Sequence, residues 1–498
     1  MTKTDPQATV PASDDDRGPS DDDRGPSDDD RGLADERGLG WPRSSGLRLP
    51  VLLAFLVGGS TLQLLRTPGI PAWRSLQAED GGIFYTDALN DPLIRTIGRA
   101  YEGYLHVVPR LIAALASLFP VQDAAVVINV GAALVVSLLA AYFWFAARDL
   151  LPSAWGRALV VLLILLLPSA GWEVNASINN LHWYLDFTCF WVFLARPRSR
   201  GAVAAGVLVA AATALSDPLS ALLLPLAGYR VLQALRQRDG IPRSVLLAPA
   251  AFAVGLGLQA LYGVTEKVPR AFVEVDPRDV PGVYGLRVVG SLLVGDRYLE
   301  GLFLRHQHFA TVCLLLAIVA AAGAIVAARG RRVTVAVVLA YSAVFLAVPL
   351  LIRGTSIYLD RANFTLNGSR YMLVPALLLA AGLLIALFRK RVAPSRWTFA
   401  GRVLVTLLAA VVLTANFRLH SSRSPGPEWA AALAAAQSRC LDGGGDQPGS
   451  KTSARNPWAT TVGPGQVGIQ TAPGYPTHSE WNVIVDCRRL SRGVTAAR

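Results

Sequence analysis

Lysine is nearly missing from this chain: Lys3, Lys267, Lys390 and Lys451 are the only lysines in its 498 residues. Charged residues of all kinds reach only 16%, against about 25% in ordinary soluble domains. That scarcity excludes a conventional soluble fold. Cysteine is sparse too, at four, with no CxxC pair and no Cys/His cluster, which excludes zinc-binding modules of standard spacing. No glycine-rich phosphate loop opens a helix after a strand, so a nucleotide-sugar-binding α/β domain is excluded as well.

What fills the chain instead is apolar. Hydrophobic residues make up 52%, and the mean hydropathy is +0.40. Apolar runs of roughly 15–25 residues recur, the length that crosses a hydrocarbon core. The runs lie at 48–65, 121–147, 157–172, 178–195, 202–215, 218–235, 244–264, 309–328, 333–352, 370–388 and 399–417. They predict an all-α fold: a polytopic helical membrane bundle of about eleven transmembrane helices. The spans at 157–172 and 202–215 are short, and either extend into flanking residues or stop short of the full bilayer.

The net charge of +12 is mostly arginine. A basic chain can bind nucleic acid, but these arginines sit in short loops between apolar runs, which is a topology signal. With the N-terminus inside, every inner loop is basic: Arg148 and Arg157; Arg196, Arg198 and Arg200; Arg230, Arg236, Arg238 and Arg243; Arg329, Arg331 and Arg332; Arg389, Lys390, Arg391, Arg396 and Arg402. The expected location is the cell membrane, multi-pass, with the C-terminus outside and no nucleic-acid partner. Carboxylates, histidines, asparagines and aromatics then gather in the outer loops 66–120, 173–177, 216–217, 265–308 and 353–369 and in the tail.

Three regions follow. Residues 1–47 repeat the unit SDDDRGP, which builds no core and reads as a disordered cytoplasmic tail. Residues 48–417 form the membrane domain. Residues 418–498 are a small extracytoplasmic tail, with a short helix at 427–440 and a strand at 481–485. Cys440 and Cys487 would there face an oxidising space, where a disulfide persists and contributes roughly 3–4 kcal/mol in the loop-entropy model. Two unpaired thiols are the alternative.

The first outer loop carries Glu79 and Asp80 side by side, followed by Gly81 and Gly82. A carboxylate at the membrane surface suits a general base acting on a sugar hydroxyl, and the glycines would let substrate approach closely. Capping, or a salt bridge to Arg74, Arg95 or Arg99, is the plainer role. Further on, Val108, Leu111, Ile112, Leu115 and Phe119 predict an interfacial helix with Pro109 in its first turn. Glu102, His106 and Arg110 are spaced by four and would line it as a polar stripe.

Four other clusters stand out. Asn175, Asn179, His182 and Asp186 lie at the mouth of span 178–195, where polar groups are costly and line cavities. Asn179, His182 and Asp186 share a face at helical spacing. Trp172, Trp183 and Tyr184 are either interface anchors or a platform for a sugar ring. Asp217, before Pro218, reads as a helix cap or a site residue. His306 and His308 form an HxH pair that would need a nearby carboxylate to bind a divalent cation, although alternate residues diverge on a helix. Arg361 and Arg370 lie outside, against the inward trend, as clamps for a lipid phosphate or as snorkelling side chains.

The stretches "AEDGGIFYTDAL", "GYLHVVPRLIA" and "NNLHWYLDF" resemble a group of bacterial polytopic membrane proteins, and through them the GT-C class of membrane glycosyltransferases. The resemblance spans roughly 70–420 in organisation, while these motifs are its specific part. It implies a polyprenyl-phosphate sugar as donor, membrane lipids as surroundings, and Asp80 or Glu79 as catalytic base. Arg361 and Arg370 become phosphate contacts by position. The implied reaction is an inverting transfer to a cell-envelope glycan or lipid acceptor: the base deprotonates the acceptor hydroxyl, and outer arginines or a divalent cation hold the leaving phosphate. A transporter or flippase of lipid-linked glycans is the alternative, and a polymerase of lipid-linked glycans a third. The absence of an internal repeat and the odd span number weigh against the transporter.

Overall fold

The structure is a computed structural model that describes residues 45–236, 243–265, 275–354, 358–362, 364, 366–389, 395–418, 421–443, 446, 462–473 and 481–490. The acidic repeats and Glu266 lie outside these residues. Among the described residues the helices of ten or more residues are α1 (Ser45–Leu64), α2 (Val107–Ala116), α3 (Ala124–Ala146), α4 (Ala154–Leu166), α5 (Leu181–Leu194), α6 (Arg200–Ala214), α7 (Leu224–Arg236) and α8 (Leu247–Thr265). They continue with α9 (Asp296–Arg305), α10 (Phe309–Ala327), α11 (Arg332–Arg353), α12 (Arg370–Leu387), α13 (Arg396–Ala415) and α14 (Trp429–Gly443). One antiparallel hairpin joins β1 (Gln466–Gln470) to β2 (Asn482–Asp486).

Each of the eleven apolar runs is helical. Seven of the helices are long and apolar enough to cross a membrane. The expected tail at 1–47 runs three residues too far, because α1 already begins at Ser45.

The peripheral helices turn apolar side chains outward. Val312, Leu315, Ile318 and Val319 of α10 and Leu404, Leu407 and Val411 of α13 are all exposed. In water such faces would drive aggregation; against lipid tails they are at home. At the centre lies α12, buried along most of its length between α11, α10, α5 and α4. The aromatic run of α5 fills the space beside it: Trp191 packs edge-on against Phe143 and Phe190, with ring centroids 5.0 and 5.6 Å away. Trp183 and Tyr184 belong to this core and are buried, so they are neither interface anchors nor an open sugar platform.

Between α1 and α3 the contact is polar and close. The Gln63 side chain donates to the carbonyl of Ala133 at 3.1 Å and to the Ser137 hydroxyl at 3.2 Å. Small residues admit this approach, as in other membrane helix pairs. The α3 helix spans about 34 Å by its residue count, and it sets the molecule's two ends. Its first turns adjoin the acidic segment, since Asn129 donates to the carbonyl of Ser75 at 3.0 Å. Past its last turn come Arg148 and Asp149, the latter paired with Arg198.

The tail is not a separate appendage. The described residues between 45 and 490 form one compact unit. The backbone N–H of Ala472 donates to the carbonyl of Leu76 at 2.8 Å, and Asn90 donates to that of Ile484 at 2.9 Å. Cys440 and Cys487 form the expected disulfide, with Cα atoms 5.6 Å apart. The predicted tail helix and strand are α14 and β2; β1, the partner of β2, went unanticipated.

Candidate active site at the acidic turn

The acidic pair opens a wide π-wound turn over Asp80–Tyr85, a geometry often found at functional sites. The two carboxylates have different surroundings. Asp80 is buried and accepts three hydrogen bonds from the loop before α5: from the Ser177 hydroxyl at 3.1 Å, the Ile178 N–H at 3.2 Å and the Asn179 N–H at 2.9 Å. Burial pushes its pKa up to about 7, while Arg423 and these donors pull the other way. The backbone is strained on both sides of this contact, with Ala78 at φ 30° and Ala176 at φ 56°, conformations costly for residues bearing a Cβ.

Arg423 completes the lock. Its guanidinium is fully buried and donates to Gln77 Oε1 at 2.6 Å, to the carbonyl of Ala176 at 3.1 Å and to Asn129 Oδ1. Asp80 thus ties the acidic turn to the loop before α5, and its electrostatic neighbour Arg423 ties both to α3.

Glu79 is half-buried, and among the described residues its carboxylate accepts no hydrogen bond from another side chain. Its electrostatic neighbours are Arg370, Glu173 and Glu102. Burial raises its pKa above the usual 4.5 for a glutamate, Arg370 opposes the rise, and the two neighbouring glutamates add to it. Of the two acids, Glu79 is the more exposed.

The glycines after the pair serve the tail. A Cβ on Gly81 would sit 2.7 Å from Thr471 Cγ2, and one on Gly82 would sit 2.9 Å from Trp481 Cε3. The close approach anticipated for substrate is taken by the tail's hairpin.

His106 and Arg110 meet the same turn from the other side, but not as a stripe. The α2 helix starts at Val107, so His106 sits just ahead of it, with no capping hydrogen bond from its side chain, and Glu102 lies in a separate turn at φ 55°. His106 stacks on Tyr104 at 4.1 Å between ring centroids, and its Nε2 is buried without a partner among the described residues. Burial lowers its pKa well below the usual 6.5, with help from His182 and Arg110. Arg110 pairs with Asp87 at 2.9 Å and lies 5.3 Å from the centroid of Phe84 in the acidic turn. Beyond them α2 exposes Leu111 and Leu115, followed by Leu118 and Phe119.

His182 and Asp217 form a second polar group. The two approach to 2.5 Å between His182 Nδ1 and Asp217 Oδ2. The other oxygen of Asp217 caps the following turn, accepting from the Leu219 N–H at 2.8 Å. Asp217 thus caps the turn as expected. Asp186, one turn beyond His182, is buried within electrostatic reach of Asp217. The helical face proposed for Asn179, His182 and Asp186 holds for the last two only, because α5 begins at Leu181. His106 links the two groups, with its ring centroid 6.3 Å from that of His182.

The remaining candidates separate. Asn175 donates to the carbonyl of Gln63 at 2.9 Å. Asn179 contributes its backbone N–H to Asp80. Arg370 lies beside Glu79 and binds Glu173 through its backbone N–H at 3.1 Å and its guanidinium at 3.5 Å. Arg361 is exposed and stays with α9, donating to the carbonyl of Leu304 at 2.5 Å. It takes no part in the acidic cluster. His306 and His308 are exposed, and among the described residues no group of three or more His, Cys, Asp or Glu side chains is arranged to hold a metal.

No family profile and no curated protein matches this chain.

Two residues missed by sequence reasoning adjoin the site, Arg423 and Arg287. Arg287 is buried, has Glu173 and Asp296 as electrostatic neighbours, and lies 5.8 Å from the ring centroids of Tyr358 and Phe364. Its signal was available: it is an arginine inside the apolar stretch 283–294, where a charge has to be paired.

Proposed function

We propose that this chain is a polytopic membrane glycosyltransferase, moving a sugar from a polyprenyl-phosphate donor to a cell-envelope glycan or lipid acceptor, with Glu79 as the base. The observation that carries the reading is the half-buried Glu79 beside Arg370, next to a helix that turns Leu111 and Leu115 outward. In this reading the base and the cation face a lipid-borne phosphate ester. Glu79 takes the acceptor's hydroxyl proton as the oxygen attacks the anomeric carbon. The bond from that carbon to the phosphate oxygen breaks, and the phosphate leaves as an anion facing Arg370. Asp80 is a positioning residue in this scheme.

The reading includes eleven spans, with the N-terminus in the cytoplasm and the C-terminus outside. A reporter fused after Arg498 is then active only on the extracytoplasmic side; cytoplasmic activity would overturn the topology. The chemistry is tested by incubating purified protein with a panel of labelled polyprenyl-phosphate sugars. Transfer or hydrolysis of at least one supports it, and inertness toward every donor in liposomes removes it.

A second reading, a proton-coupled carrier of lipid-linked glycans, draws on the buried His182, Asp217 and Asp186, since ionisable groups within spans often form proton relays. It requires pH-gradient-driven movement of a labelled lipid-linked glycan in proteoliposomes.

A further inference from the structure

A cavity of about 420 Å³ lies at the end of the bundle opposite the acidic turn, between α1, α3, α5, α6 and α7. Its walls are largely apolar, with Leu52, Leu138, Phe145 and Phe193 among them. Its rim is not: Arg148, Arg196, Arg198 and Arg230 all line it. Against these four arginines the described residues offer one carboxylate, Asp149, already paired with Arg198.

Arg230 is the most telling of the four. It is buried, and among the described residues its one hydrogen bond is a long contact of 3.4 Å to Gln233 Oε1. Arg196 lies close enough for the two charges to repel. Bringing like charges together around a greasy hollow is unfavourable unless an anion joins them. The anion must suit both parts of the site, a phosphate for the guanidiniums and a hydrocarbon chain for the hollow.

We infer that this cavity binds an anionic phospholipid, with its phosphate between Arg196, Arg230 and Arg148 and an acyl chain among Leu138, Phe145 and Phe193. The site is separate from the acidic turn, about the length of α3 away, and does not depend on the proposed transfer reaction. Anionic lipids enriched in the leaflet that faces basic loops would fill it.

The test is native mass spectrometry of the full-length protein released from nanodiscs containing phosphatidylglycerol and phosphatidylcholine in equal amounts. Phosphatidylglycerol should be retained preferentially, and Arg196→Gln and Arg230→Gln should each weaken retention about fivefold. Ala205→Phe, which fills the hollow and keeps every arginine, should also lose the lipid. Equal retention of the two lipids by the unmodified protein overturns the proposal without reference to any variant. Displacement of phosphatidylglycerol by millimolar inorganic phosphate alone also overturns it, because the site would then recognise phosphate and not lipid.

Discussion

Glu79→Gln is expected to lower sugar transfer by about 100- to 10,000-fold without lowering thermal stability, because the neutral side chain escapes the burial cost of the charge. Glutamine keeps the size of the side chain but cannot take a proton. The one hydrogen bond among the electrostatic determinants of Glu79 comes from its own backbone N–H, which the glutamine carbonyl can still accept. Asp80→Asn should behave in the opposite way. One end of the amide must become a donor, and it would face the Ser177 hydroxyl, the Asn179 N–H or the Ile178 N–H. Leaving such a buried pair unmatched costs about 1–3 kcal/mol, read as a lower melting temperature in detergent.

The pH dependence separates the acids further. Asp80 holds its proton up to about pH 7 in the folded protein, against 3.8 for an ordinary aspartate. Its contribution to stability is therefore complete in acid and is lost as pH rises toward 7. In that window the slope approaches roughly 1.4 kcal/mol per pH unit. Glu79, also shifted upward, adds a slope of the same sign. Asp80→Asn should flatten the dependence of melting temperature on pH between 4 and 7. If Glu79→Gln keeps full transfer and Asp80→Asn alone abolishes it at unchanged stability, the assignment of the base to Glu79 is wrong.

The helices were legible because apolar length is a strong signal in a chain so poor in charge. Their ends were less so, for reasons visible in single residues. The face drawn through Asn179, His182 and Asp186 assumed a helix reaching back to Asn179. The N–H groups of Ile178 and Asn179 are committed to Asp80 instead, so α5 begins later. The stripe through Glu102, His106 and Arg110 failed because Tyr101 and Tyr104 pair across a turn, which takes Glu102 out of the helical path. Asp217 was readable as a cap from the proline after it, but its partner His182 is 35 residues away. Two glycines signal a close approach without saying of what, and here the visitor is the tail. The site was thus legible as a set of residue types near one another. Which acid is locked and which is open depends on the far segment that supplies the lock.

That segment gives the last expectation. Arg423 sits in "SSRSPGP", a stretch without periodicity or motif, and its partners lie 247, 294 and 346 residues away. Arg423→Met should cost about 3–5 kcal/mol, the usual penalty for removing one side of a buried charged network. The change strands Gln77 Oε1, Asn129 Oδ1 and the carbonyl of Ala176 together, and it takes away the cation opposite Asp80. Lysine should not rescue it, because a point charge cannot reach three acceptors held in a guanidinium's plane. Protease cleavage between residues 421 and 443 should accelerate in step with the loss of stability. The decisive measurement is the double variant. If Asp80 and Arg423 form one lock, Arg423→Met should cost at least about 1 kcal/mol less in the Asp80→Asn background than alone. Strict additivity would mean that the tail and the acidic turn are stabilised independently, and that Arg423 tells nothing about how Asp80 is held.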